Sequence, residues 1–428
     1  MDKKRSPFME RTRRKNKYVN SALILFALTI FQLVSFVPVV VRVDENKFYP
    51  IHALMLLAFI TVEWTYVLMM TVISRKRDFE LELIAFFLCG VGLAEITSID
   101  RTLLKTQLIA IVLGVVVYTV LLWFLEDVDR VMKFKLPVAI LALGFFGAAF
   151  AYIRFVSGPT NGAYNWMRLA GFSIQPSELV KIAFVYVGAA TLDKLLTTRN
   201  IIAWLTFVAG CLGILILMKD FGTAMIFFVT FILLIFMRSG DLKTIGISVG
   251  VAGLGVGALF FLKPYVANRF KGWRHVWEHS SESLGYQQVR TLIYSASGGL
   301  LGLGIGQGRL RYVFASENDL IFGVICEEMG ILTAFAIVIC FALICAYAVV
   351  NARTAPSAFY SISACAAAAM LLFQTCLNIF GITDIIPLTG VTLPFVSQGG
   401  SSMICCWALF AFIKAADLRS YPKRMTQN

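Results

Sequence analysis

Apolar residues in this chain come in long runs broken by short polar segments. Twelve runs approach the roughly 20 residues a spanning helix needs: 19–41, 51–73, 81–98, 106–125, 136–156, 178–192, 201–218, 222–237, 244–262, 320–350, 356–382 and 395–416. Lys219-Asp220 splits what would otherwise read as one kinked helix over 201–237. The pattern predicts an all-α, polytopic membrane helix bundle. It shows no soluble domain, no low-complexity segment and no internal repeat.

Composition agrees. Of 428 residues, 59% are hydrophobic and 15% charged, where a soluble domain carries about a quarter charged. The net charge of +13 would suggest nucleic acid in a soluble protein. Here it is explained by the bias of Lys and Arg toward cytoplasmic loops, so no nucleic-acid partner is expected. An N-terminus placed inside puts 23 Lys/Arg in cytoplasmic segments and 14 outside, seven of them in one long loop that escapes the rule. Both termini are then cytoplasmic. The basic N-terminus 1–18 precedes an apolar run too long for a signal peptide and without a small-residue cleavage site. The nine cysteines all sit in apolar runs at no metal or disulfide spacing and read as packing residues. With only three histidines, no zinc site is readable.

The long outer loop, 263–318, is too aromatic to read as disordered. Val266, Phe270, Trp273 and Trp277 fall at helical intervals beside Arg269, Lys271 and Arg274, which predicts an interfacial helix. Six glycines between Gly298 and Gly308 lack the GK[ST] of a nucleotide loop. Close backbone approach to a substrate and a plain mobile connector remain equal readings.

Polar residues in or beside the apolar runs carry the candidate chemistry. Asp319 opens the tenth run, where helix capping is the simplest role. Glu327 and Glu328 lie deeper and need partners or water. Glu178 and Lys181 share a face of the sixth run, begun by Gln175-Pro176. They suit a structural ion pair or a cation held for an anionic ligand. Lys219-Asp220 suits a turn with an exposed charge pair. The stretch 383–402 holds Pro387 and Pro394 yet stays apolar, which predicts broken helix buried in protein or lining a cavity. The Lys/Arg topology places all these motifs on the outer side, although it was set without them.

At these motifs the sequence resembles the SEDS family of FtsW, RodA and SpoVE. The stretches are NGAYNWMRLAGFSIQPSELVK (161–181), DFGTA (220–224), GYQQVRTLIYSASGGLLGLGIG (285–306), NDLIFGVICEEMG (318–330) and NIFGITDIIPLTGVTLPFVSQGGSS (378–402). The resemblance covers 80–417 and implies a ten-helix core. Helices at 19–73 are then two extra N-terminal ones, and 418–428 is a basic cytoplasmic tail. It implies a multi-pass protein of the bacterial cytoplasmic membrane that polymerises lipid II into glycan strands at the outer face, for division or cell shape. A sugar 4-hydroxyl attacks the anomeric carbon of the growing chain, and undecaprenyl pyrophosphate leaves. That chemistry needs a base and positive charge for the leaving group.

Carried over residue by residue, the resemblance makes Asp319 the catalytic residue, as general base or as a carboxylate organising the acceptor with a divalent cation, magnesium or manganese. Lys181 and Glu178 match the family's polar pair, and Lys181 becomes the first candidate for pyrophosphate contact. Arg168, Arg269 and Arg290 are further cationic candidates, and Asp220, Gln287 and Ser401 fall within matching stretches as substrate-binding candidates. The implied partners are a class B penicillin-binding protein and other divisome or elongasome proteins, with the sequence leaning toward FtsW. The chain departs from the family's pattern at Tyr164-Asn165, where two basic residues usually precede Trp166. It departs again at Phe314–Asn318, usually Pro-Glu-x-His-Thr before Asp319, and at Gln398, usually Tyr. The competing readings are a lipid II flippase or other transporter, and a non-catalytic scaffold. A twelve-helix carrier usually keeps its long loop inside, between halves; here it lies outside.

Overall fold

The computed structural model describes residues 21–42, 47–73, 78–160, 162–169, 172–193, 198–241, 272–281 and 285–417, with 243, 246, 250 and 253 as isolated positions. Its helices, in chain order, are α1 (Ser21–Val40), α2 (Pro50–Ile73), α3 (Glu80–Ile99), α4 (Leu103–Leu125) and α5 (Val128–Tyr152). Then come α6 (Pro176–Leu192), α7 (Thr198–Met218), α8 (Phe221–Ser239), α9 (Tyr286–Ser297), α10 (Ile321–Glu328), α11 (Gly330–Ala352), α12 (Ala358–Ile382) and α13 (Gly400–Ala415). A short antiparallel pair, β1 (Val41–Arg42) with β2 (Lys47–Phe48), closes the α1–α2 connection. A second, β3 (Met167–Leu169) with β4 (Phe172–Ile174), precedes α6.

Nine of the described helices are long and apolar enough to cross a membrane. The 17-residue α6 and 16-residue α13 are shorter and almost wholly buried. Burial relieves them of matching the lipid thickness, because protein rather than hydrocarbon surrounds their polar groups. The expected run 244–262 lies outside the described residues.

The expected run 320–350 is not one helix. It breaks at Met329, and Gly330 (φ +83°) starts α11. The cause is the glycine loop. A Cβ on Gly330 would stand 2.4 Å from both the Gly302 nitrogen and the Leu300 carbonyl oxygen, and one on Gly302 only 2.1 Å from the Glu328 carbonyl oxygen. Glu327 accepts the backbone N–H groups of Arg309 and Leu310, each at 2.8 Å, while Glu328 accepts those of Gly306 and Gly308. The two glutamates thus find the partners their burial demands. The close approach that Gly298, Gly302 and Gly330 allow is to the chain itself.

The expected interfacial helix also fails where it can be seen; Val266, Arg269, Phe270 and Lys271 lie outside the described residues. Residues 272–281 form turns, with Arg274 at φ +61°. Trp273 donates to the Ile385 carbonyl at 3.1 Å and the Arg274 N–H to Asp384 at 3.2 Å. Tertiary hydrogen bonding to the 384–385 turn outweighs the local helical spacing.

The core is organised around α13. Gly114 lets α4 approach so closely that a Cβ there would lie 2.4 Å from the Trp407 ring. Trp407 is fully buried against Phe86, Tyr118 and Phe395. At one end of α13, Lys414 is sealed between Asp78 at 2.8 Å and Glu82 at 3.2 Å. The Tyr118 hydroxyl also donates to Glu82, at 2.7 Å. The first two helices join this core through Tyr66, whose hydroxyl reaches Glu82 at 3.4 Å. They join each other through a buried bond from Gln32 to Glu63 at 2.7 Å.

Candidate active site

Asp319 sits in a tight turn ahead of α10. Ala315, in the left-handed region at φ +63°, turns the chain so that its carbonyl accepts the N–H groups of Asn318, Asp319 and Leu320. The N-cap of α10 falls on Leu320, whose side chain makes no capping bond. Capping, the simplest reading of Asp319, therefore does not describe the helix start.

What fixes Asp319 is the irregular stretch before α13 together with Asn378 on α12. The Gln398 N–H donates to the Glu317 carbonyl at 2.9 Å, the Ser397 hydroxyl to that of Asn318 at 2.6 Å, and the Asn378 amide to that of Asp319 at 2.9 Å. Three consecutive carbonyls are thus held from outside the turn. Asn378 also donates to the Val391 carbonyl at 2.8 Å, joining the two segments. Residues 383–399 contain no helix, as the two prolines predicted; most of 391–399 is buried in protein, while Thr383, Ile385 and Gly390 are exposed. Gln398 stands where the family's tyrosine is usual, and this contact uses only its backbone N–H, which any residue but proline supplies.

Asp319 opens on a cavity of about 210 Å³ lined mainly by polar groups, among them Gln175, Glu178, Lys219, Asp220, Asn318 and Thr392. Asp220 caps α8, accepting the Thr223 N–H at 3.2 Å, while its other oxygen accepts the Gln175 amide at 3.0 Å. Pro176, pre-set for a first helical turn, starts α6 and brings Glu178 to the cavity wall.

The structure unites the predicted residues only in part. Asp319, Glu178 and Asp220 line one cavity. Ser401 stands one layer behind, accepting the Gln175 N–H at 3.1 Å. Gln287 supports the rim by donating to the Phe314 carbonyl at 2.8 Å. Lys181 does not reach the cavity. It is 1% exposed, closed off between Glu178 and Gln374, each at 2.8 Å. The structural ion pair is therefore the arrangement observed, and α12, far away in sequence, completes it. Arg168 is exposed on β3, and Arg290 lies against the Tyr286 ring, neither on the cavity wall. Arg269 lies outside the described residues. No group of three His, Cys, Asp or Glu suited to a metal ion occurs among the described residues.

Sequence reasoning passed over Asn378, Gln374 and Ser397. The signal was present, since Gln374 and Asn378 are amides four residues apart on one face of an apolar helix. Asn378→Ala would leave the Asp319 and Val391 carbonyls without this donor. If Asp319 carries the polymerising chemistry that the family resemblance implies, that turnover is expected to fall about tenfold or more through lost positioning, with only a modest drop in melting temperature. Unchanged turnover would show that Asn378 does not position the carboxylate.

The many apolar helices, nine of them among the described residues long enough to cross a membrane, define a multi-pass membrane protein, and a polar cavity opens between its segments. The family model described as "Cell cycle protein", for FtsW, RodA and SpoVE, matches residues 88–421, and the chain belongs to that family. It is 29% identical to stage V sporulation protein E of Bacillus subtilis over 78% of this chain and 95% of that protein. It is 26% identical to peptidoglycan glycosyltransferase RodA of Mycobacterium tuberculosis, covering 72% of this chain and 68% of that one. It is 28% identical to the probable peptidoglycan glycosyltransferase FtsW of Bacillus subtilis, covering 77% and 88%. These similar values do not separate an FtsW from a RodA branch. The fold is like that of a chain in a solved peptidoglycan synthase complex whose polymerization and crosslinking are coordinated (TM-score 0.67, 23% identity, 81% of this chain and 98% of that one). The match begins at residue 88, so α1 and α2 precede it.

Proposed function

We propose that this protein is a peptidoglycan glycosyltransferase that extends glycan strands from lipid II at the outer face of the bacterial cytoplasmic membrane. Family membership supports the reaction class. The observation that carries the reading is Asp319, set on the wall of a polar cavity by three externally held carbonyls. In this reading Asp319 takes the proton from the acceptor 4-hydroxyl as that oxygen bonds to the anomeric carbon. The bond from that carbon to the pyrophosphate oxygen breaks, and undecaprenyl pyrophosphate leaves with the electron pair. Asp220 and Glu178 stay engaged with Gln175 and Lys181 and shape the wall that receives the sugars.

The Lys/Arg distribution supports both termini in the cytoplasm, which puts the cavity outside. A class B penicillin-binding protein is the partner this activity would serve, since crosslinking follows polymerisation. The test is polymerisation of labelled lipid II by the purified chain, alone and with its transpeptidase, with magnesium or manganese and with chelator. Glycan ladders are expected. Lipid movement across liposomes without polymer under every condition would replace this reading with a flippase.

A further inference from the structure

The leaving group in the proposed reaction is a diphosphate, and the cavity around Asp319 is otherwise acidic. Among the described residues lining it, Glu178, Asp220 and Asp319 are carboxylates and Lys219 is the single Lys or Arg. Lys181, the cation the sequence favoured for this task, is shut behind Glu178. An anionic ligand entering this cavity therefore meets positive charge at Lys219.

Three features build this position. Lys219 holds φ +61°, a conformation that is strained for a side-chain-bearing residue and that glycine adopts freely. Its ammonium stands 5.7 Å from the centroid of the Tyr164 ring, while the Arg154 guanidinium stands 4.9 Å from the same centroid and donates to the Tyr164 hydroxyl. The Tyr164 N–H in turn donates to the Met218 carbonyl at 2.9 Å, so the ring is pinned to the turn that carries Lys219. A ring face attracts a cation without cancelling its charge. Two positive charges far apart in sequence are thus gathered on one aromatic side chain, and one of them, Lys219, lines the cavity. Tyr164 occupies a place where the family usually has a basic residue, and here the ring collects cations from two other segments.

We propose that Lys219, backed by Arg154 on the Tyr164 ring, forms the subsite that holds the diphosphate of the polyprenyl-linked substrate and stabilises it as it leaves. This rests on the glycosyltransferase reading for its ligand. As the bond from the anomeric carbon to the diphosphate breaks, the oxygen that keeps the electron pair gains negative charge, and the Lys219 ammonium faces it. A charged hydrogen bond to phosphate carries more weight than a neutral one, and the retained φ strain at Lys219 is what a functional side chain would sustain.

The experiment uses the full chain in nanodiscs with undecaprenyl pyrophosphate as the probe, and inorganic pyrophosphate and undecaprenol as controls. Lys219→Gly removes the cation and relieves the backbone, so its melting temperature should hold or rise. Its affinity for undecaprenyl pyrophosphate should fall about tenfold or more, with undecaprenol unaffected. Lys219→Arg should stay within about threefold of wild type, and Arg154→Gln should show a smaller loss than Lys219→Gly. Wild-type affinity in both Lys219→Gly and Arg154→Gln, with polymerisation still abolished by Asp319→Asn, would overturn the subsite and leave the enzyme reading standing. Lys219-dependent diphosphate binding in a chain that never makes polymer would do the reverse. Equal affinity for inorganic pyrophosphate and its lipid form would overturn the lipid-linked assignment.

Discussion

Asp319→Asn is expected to lower lipid II polymerisation by about 10²–10⁴-fold, the range general-base removal gives, while the protein melts at the wild-type temperature. The substitution keeps the shape and removes the proton acceptor. Its structural neutrality follows from the way the turn is held. The Glu317, Asn318 and Asp319 carbonyls are bound by Gln398, Ser397 and Asn378, and none of those bonds involves the carboxylate. The α10 N-cap is Leu320, so no capping bond is lost there. The measurement is initial rate of labelled glycan formation beside a melting curve of the same preparation. A variant that polymerises within a few-fold of wild type would remove Asp319 as the base. A variant that has lost both rate and thermal stability would make the carboxylate a fold element.

The largest effect on stability is expected from Lys414→Met. The ammonium is fully buried and balances Asp78 and Glu82, themselves almost fully buried. Removing one side of a buried ion pair leaves charge uncompensated, which costs about 3–5 kcal/mol. Met fills a similar volume, so the loss reports charge and hydrogen bonding rather than a cavity. Removing one of the two facing carboxylates with Glu82→Gln in the Lys414→Met background returns the cluster to its original net charge and should recover part of the melting temperature, because Tyr118 keeps an acceptor there. A Lys414→Met protein as stable as wild type would mean the ion cluster contributes nothing to stability. The cluster joins α13 to the chain around α3 and to α4, so its failure would also loosen the helix whose start holds Ser401.

The spans were legible because hydropathy is a local sum. Each residue's transfer free energy into lipid adds along the run, whatever its neighbours elsewhere in the chain. The non-helical stretch 383–399 was legible for a similar reason, since Pro387 and Pro394 act on their own backbone. The Lys/Arg count placed Asp319, Asp220 and Glu178 at one level, and the structure unites them around one cavity. Local spacing misled where a distant segment competed for the same backbone. Gly302 against Glu328 divided one expected helix in two, and Asp384 took the Arg274 N–H that an interfacial helix would have used.

By itself the sequence determined a polytopic helical bundle and its family, and it singled out Asp319 as the candidate carboxylate. Only the tertiary structure decided which cation faces the cavity. Gln374, 193 residues away, closes Lys181 in, and Tyr164 draws Arg154 and Lys219 together. The physical reason is that a charge's role depends on what desolvates and pairs it. Those partners come from other helices, whose rotation about their axes no local pattern of apolar residues fixes when nearly every position is apolar.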